Sequence, residues 1–364
     1  MRGRYLVTGV VFSLTLLWAL APALAQDEQP GRPAGDEKGV VTVTVFNTGD
    51  MHEKTGNLAR IAGYVKQRKE KDPNVLLVDA GDFLDDGNLG EWPIKGTNGD
   101  AMMALMVVAG YDVCILGNHD RKLGKDRTLD LCLKHPKFPL VVCNINWDEK
   151  DKEKAKNIPR YKVFELEGVK VAVVGSCSGY SNHEHGTPFP AFHEREGYLQ
   201  VLPEVRKKAD VIVFISHRFE GSDQRLLNAW GENSPDVLIG GHSHKSFVWR
   251  RGKTLWIKAG ALGNSLGQVT IKFDTAAKKI VSTDGRVLSV GKDWPVDEEV
   301  KALREKFMTP APKQEQPKKD EKAAQPAGKQ ASRLAPMAMP VAMLATGLLW
   351  WFSSGYRCRR NADR

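Results

Sequence analysis

The sequence predicts an α/β protein with mixed sheets, and three observations carry that prediction. Short β-branched runs alternate with polar or helical stretches from Val40 to about Leu288. The early intervening stretches show helix-period apolar faces, whereas the late runs follow one another as hairpin strands do. Strands are predicted at Val40–Phe46, Val75–Asp79, Val113–Leu116, Leu140–Cys143, Tyr161–Leu166, Val169–Gly175, Val211–Ser216, Val237–Ile239, Thr254–Lys258, Gln268–Phe273 and Ile280–Leu288. Asn57–Glu70 places Leu58, Ile61, Ala62 and Val65 on one helical face, and Gly99–Ala109 and Leu199–Lys208 read similarly. Met102, Met103 and Met106 on the second of these helices read as core filler.

Composition bounds the rest. Of 364 residues, 41% are hydrophobic and 27% charged, which excludes a wholly disordered chain. The net charge of +9 is concentrated at the ends: Arg2 and Arg4 give +2, and the last twelve residues give +3. The body carries the remaining +4, so no specific nucleic-acid partner is evident. Residues 1–25 have a basic start, an apolar run and Ala23-Leu24-Ala25 before Gln26, the layout of a secretory signal peptide. An uncleaved anchor is the alternative. Residues 26–39 form a polar leader, and 40–307 hold the folded domain. Residues 308–333, rich in Pro, Lys and Gln, read as a disordered linker.

Leu334 to Phe352 contains no charge and would span roughly 28 Å as a helix. The basic tail 353–364 follows it. Together the two ends predict a domain on the periplasmic or extracellular face, tethered to a membrane by its C-terminus. A sorting tail removed after export has the same shape. Cys114, Cys132, Cys143 and Cys177 lie among apolar residues without metal-ligand spacing and read as buried thiols, with one disulfide left open.

The chemistry gathers where strands end. Asp50-Met51-His52, Gly81-Asp82, Gly117-Asn118-His119-Asp120, Ser216-His217 and Gly241-His242-Ser243-His244 each follow a predicted strand. In α/β sheets such loops converge on one crevice. Carboxylate, amide oxygen and imidazole together suit Zn, Mn or Fe. Asp50, His52, Asp82, Asn118, His217, His242 and His244 make seven donors, too many for one four-coordinate ion but enough for two that share a carboxylate.

These five motifs, in this order, resemble the calcineurin-like metallophosphoesterase superfamily. Gly56-Asn57-Leu58-Ala59-Arg60-Ile61-Ala62, Gly110-Tyr111-Asp112 and Ala259-Gly260-Ala261-Leu262-Gly263 are similar to the N-terminal catalytic domain of bacterial 5′-nucleotidases. The resemblance covers about Val41 to Leu288. It implies a four-layer α/β/β/α sandwich with two mixed β-sheets, and hydrolysis of phosphate esters by a metal-bridging hydroxide. It implies one divalent ion on Asp50, His52, Asp82 and His244, and a second on Asp82, Asn118, His217 and His242. It gives His119 a catalytic role at the phosphate, with Asp120 orienting its imidazole, and Asn118 a place beside the substrate.

Departures narrow what carries over. Gly49 and Glu53 stand where nucleotidases usually have Asn and Gly. Arg218, after His217, is a cation that would hold a substrate phosphate or form an ion pair. The long C-terminal domain of the nucleotidases, with its base-stacking aromatics, is not expected after Leu288. The expected substrate is therefore a phosphomonoester or nucleotide, with a phosphodiester or nucleotide-sugar as alternative. A non-catalytic metal-binding surface protein and a thiosulfate-ester hydrolase are the other readings. His183, His185 and His193, in the stretch Gly179 to Gly197, read as part of a lid or surface loop.

Overall fold

The computed structural model describes residues 39–85, 87–177 and 191–309. The predicted signal peptide, the apolar segment 334–352, the basic tail, His183 and His185 lie outside these residues, as do all but the last residue of the leader and the first two of the linker. Among the described residues no helix is long and apolar enough to cross a membrane.

The first sheet is built from β1 (Val40–Thr48), β2 (Val75–Asp79), β3 (Val113–Cys114), β10 (Ser265–Asp274) and β11 (Lys279–Ser289), in the order β11-β10-β1-β2-β3. β1, β2 and β3 run parallel, and β10 and β11 return antiparallel. The second sheet takes β4 (Tyr161–Leu166), β5 (Val169–Gly175), β6 (Val211–Ser216), β7 (Val237–Gly240), β8 (Ser246–Arg251) and β9 (Thr254–Ala259), in the order β4-β5-β6-β7-β9-β8. Both sheets are mixed, as the sequence predicts.

Strand alternation sorts the core. Val43 and Val45 of β1 meet Val171, Val213, Ile239 and Ile257 of the other sheet in one apolar layer. Phe46 points the opposite way, into the layer roofed by α1 (Leu58–Lys71) and α2 (Asp100–Ala109). Val300 of α8 (Glu298–Met308) belongs to that layer too, and Met308 packs against it. The outer face of the second sheet is covered by α6 (Glu194–Lys208) and α7 (Glu220–Trp230) through Tyr198, Leu202, Leu226 and Trp230. The result is the four-layer α/β/β/α sandwich. The short helices α3 (Asn118–Arg121), α4 (Lys125–Lys134) and α5 (Glu149–Ala155) lie in the crossover between β3 and β4.

Some expectations need correction. Leu140–Cys143 forms no strand, only a single bridge from Leu140 to Cys114, because its backbone leaves the sheet to meet Pro159 and Gly175. Ser246–Arg251, not predicted, is an edge strand paired to β9. α6 starts five residues before Leu199, with His193 as its cap: the ring accepts the Arg195 N–H at 3.1 Å. The predicted stretch Gly179 to Gly197 therefore overreaches: His193 caps the helix and residues 194–197 belong to α6. Cys114, Cys132, Cys143 and Cys177 are free thiols.

Candidate metal centre

The carboxyl ends of β1, β2, β6 and β7 and the β3–α3 turn deliver the seven predicted donors to one crevice. Backbone bonds lace these turns together. Asp50 N–H donates to Gly81 O at 2.8 Å and His52 N–H to Asp82 O at 2.8 Å. The Asp50 carboxylate accepts the His242 N–H at 2.8 and 2.9 Å, joining the first and last motifs. Five of the donors sit on left-handed backbone: Asp50 (φ 52°), His52 (46°), Asp82 (55°), His242 (78°) and His244 (57°). Strain of this kind, on the order of 1–3 kcal/mol per residue, persists where surrounding structure over-determines it and clusters at functional sites. Gly117 is required for contact: a Cβ there would lie 2.1 Å from Asp82 Oδ1.

Among the described residues, three groups of side chains are close enough to share an ion: Asp50, His52 and His244; Asp82, His217 and His242; and His52, Asp85 and His119. The Nε2 atoms of His52 and His244 face each other at 3.0 Å. His244 Nε2 is 3.7 Å from Asp50 Oδ1. His217 Nε2 lies 3.0 Å from Asp82 Oδ2 and 3.8 Å from Asp50 Oδ1. Asn118 Oδ1 is 2.8 Å from His242 Nδ1.

The donors fit divalent ions. His217 Nδ1 lies 2.7 Å from Ala80 O, so it carries the proton and leaves Nε2 as the ligating nitrogen. Nε2 is buried and outside hydrogen-bond geometry, though it faces a carboxylate. A cation between the two satisfies both. Without one the ring itself must be charged: burial works against this, yet the Asp82 and Asp50 carboxylates hold its pKa up at about 10. Burial likewise opposes the Asp82 charge, but His217 keeps that carboxyl well below the usual range. Burial raises Asp50 to about 7, against the pull of His217. It lowers His52 and His242 to about 4 and lowers His244, leaving all three neutral, as ligation demands.

The structure places the other predicted residues less simply. His119 stands at the crevice with its ring 4.6 Å from that of His52, and its backbone N–H donates to Asp82 Oδ1 at 2.8 Å. Asp120 does not orient it. Its fully buried carboxylate is taken up by the backbone N–H groups of Gly117 (2.7 Å), Asp82 (2.7 Å) and Leu84 (2.9 Å), and so fixes the turn that carries Asp82. The carboxylate facing His119 Nδ1 is Asp85, at 3.9 Å. Asp85 is itself held by Gly87 N–H, Gly90 N–H and Lys95. Asp85 follows Asp82 by one helical turn in spacing, but no strand end marks it in the sequence. Arg218 takes the ion-pair alternative: its guanidinium pairs with Glu194, whose side chain is fully buried at the start of α6.

The ends of parallel strands in two mixed sheets converge on one imidazole–carboxylate cluster, an arrangement suited to a metal-dependent hydrolase of the α/β class. The family model "Calcineurin-like phosphoesterase" matches residues 43–246, more than half of the chain. The chain belongs to this family. It is 26% identical over 313 residues to the trifunctional nucleotide phosphoesterase protein YfkN of Bacillus subtilis, covering 75% of this chain and 20% of that one. It is 27% identical over 305 residues to the 5′-nucleotidase of Bos taurus, covering 71% and 51%. The 5′-nucleotidase precursor of Thermus thermophilus superimposes with a TM-score of 0.61 at 22% identity, covering 73% of this chain and 58% of that one. The chain thus spans about half the length, or less, of these curated relatives.

Proposed function

We propose that this protein hydrolyses phosphate monoesters of nucleotides with two divalent ions held by Asp50, His52, Asp82, Asn118, His217, His242 and His244. The observation that carries the reading is the position of Asp82. One of its carboxylate oxygens faces His217 Nε2 at 3.0 Å, and the other accepts the backbone N–H of His119, so one side chain adjoins both the ligand cluster and the turn that carries the catalytic histidine. When bound, two such ions supply an acidified water and neutralise charge on the phosphoryl group. Asn118 and His119 then stand beside the phosphoryl oxygens, and His119 stabilises charge or delivers a proton to the leaving oxygen. Asp85 steers that ring.

The nucleotide preference rests on Phe219. Its ring is 59% exposed and seated edge-to-face on His242, with centroids 4.0 Å apart. An aromatic surface open to solvent beside a ligand ring suits a planar group on the substrate, and it supports a nucleotide over an alkyl phosphate. The names of the Bacillus and bovine relatives agree with that choice. The terminal charge patterns support export, with the C-terminal apolar segment as a tether or sorting tail.

The test is turnover of AMP, p-nitrophenyl phosphate and bis-p-nitrophenyl phosphate with added manganese. Hydrolysis of the two monoesters supports the reading. Faster hydrolysis of the diester favours phosphodiesterase chemistry, and none at all with ions bound favours a binding role.

A further inference from the structure

We propose that Lys258 is a positioning residue for the ion held by His217 and His242. The inference rests on the two-ion reading above and goes beyond it. Lys258 is an interior residue of β9 and only 1% exposed, and a charged side chain is almost never that buried without a specific partner set. Its Nζ donates to Arg218 O at 2.5 Å, Gly241 O at 2.8 Å and Ser243 Oγ at 3.3 Å. Arg218 directly follows His217. Gly241 and Ser243 flank His242. One ammonium therefore clamps the backbone of two loops that are remote in sequence and that present three of the seven donors.

The counter-charges lie on the helix above. Glu220 Oε1 is 3.3 Å and Asp223 Oδ2 3.6 Å from Nζ, both from the first turn of α7. Glu220 also accepts from Ser243 Oγ, and Asp223 accepts from Ser216 Oγ at 2.5 Å. The network thus ties β6, α7, the His242 turn and β9 around a single nitrogen, with no atom of it serving as a predicted ligand. Lys258 shares a strand face with Trp256, the face that α7 covers, so its charge is sealed from water beneath the crevice.

Removing a residue that holds a ligand typically weakens ion affinity 10–100-fold. In K258M the expected result is at least a tenfold loss of Mn²⁺ affinity at one of two calorimetric steps, with a clearly smaller loss at the other, whose set includes His244. A structural role alone would lower the melting temperature and leave the ratio of the two affinities intact. Because K258M strands the buried Asp223 carboxylate and leaves Glu220 with Lys245 alone, the triple variant K258M/E220Q/D223N, which leaves no buried carboxylate unpaired, is measured beside it. Selective loss of one step in the folded triple variant supports the inference. Wild-type affinity at both steps in that variant overturns it. Absence of both steps in the unaltered protein would instead overturn the two-ion reading itself.

Discussion

His217 Nε2 and Asp82 Oδ2 stand 3.0 Å apart in a buried site, and a cation must lie between them. In ion-free protein that cation is a proton, since Asp82 and Asp50 hold the His217 pKa at about 10 against burial. A divalent ion has to displace it. Asp50 titrates near 7 and the pKa values of His52 and His242 lie near 4, so between pH 7 and 10 His217 is the group that must lose its proton. The sign follows: affinity for the ion rises with pH, by about tenfold per unit in this window, and levels off above the folded pKa. Calorimetry in buffers of different ionisation enthalpy should report about one proton released per protein at pH 8. Uptake without proton release would mean that His217 is not displaced. Asp82→Asn should abolish ion binding and turnover together.

His119 and Asp120 adjoin in sequence yet do different work, and their variants should separate. His119→Ala should lower kcat by about 10²–10⁴-fold, the range for loss of a general acid, while both ions stay bound. Asp85→Asn should move kcat in the same direction by less. Asp120→Asn replaces an acceptor of three backbone N–H bonds with a group that is half donor. It should lower stability by about 3 kcal/mol or more, read as a fall in melting temperature, and loosen ion binding. Retained melting temperature with a purely kinetic defect would restore Asp120 to the orienting role.

The donors were legible because each stands where a β-branched run meets a small residue, a pattern that needs no tertiary information. Lys258 was not. In the run Thr254-Leu255-Trp256-Ile257-Lys258, a terminal lysine reads as the solvent end of a strand, and only α7 folding over that face makes it internal. Asp85 was missed for a related reason: its partners are the backbone of residues 87–90 and a ring 34 residues on. β8 escaped notice because an exposed edge strand carries little apolar alternation, although Arg251-Gly252-Lys253-Thr254 is a tight hairpin turn. α6 was foreseen only from its apolar half; its first turn is polar and its start is set by the His193 cap.

Gly117→Ala tests how tightly the turns are fitted. The added methyl would meet Asp82 Oδ1 at 2.1 Å and Asp82 N at 2.5 Å, and both are fixed by Asp120 and His119. Backbone cannot yield as a flexible chain end does, so the Asp82 carboxylate must turn away. Loss of one or both ions is expected, with a melting temperature that no longer rises on adding manganese. A variant with wild-type ion binding would show that the two turns slide freely.

Phe219 gives the sharpest test of substrate class. Its ring meets that of the predicted ligand His242 edge-to-face and opens to solvent, and Phe219 itself supplies no ligand atom. Stacking of a base on an aromatic ring contributes about 1–3 kcal/mol, so Phe219→Ala should raise KM for AMP by about five- to 150-fold. Glycerol phosphate, which has no planar group, should keep its KM. Ion affinity should also hold, since no ligand atom changes. Phe219→Trp should restore AMP binding, because it keeps a stacking face. If the alanine variant raised KM equally for both substrates, Phe219 would be a support for the His242 ring, and the case for a nucleotide would lose its structural footing.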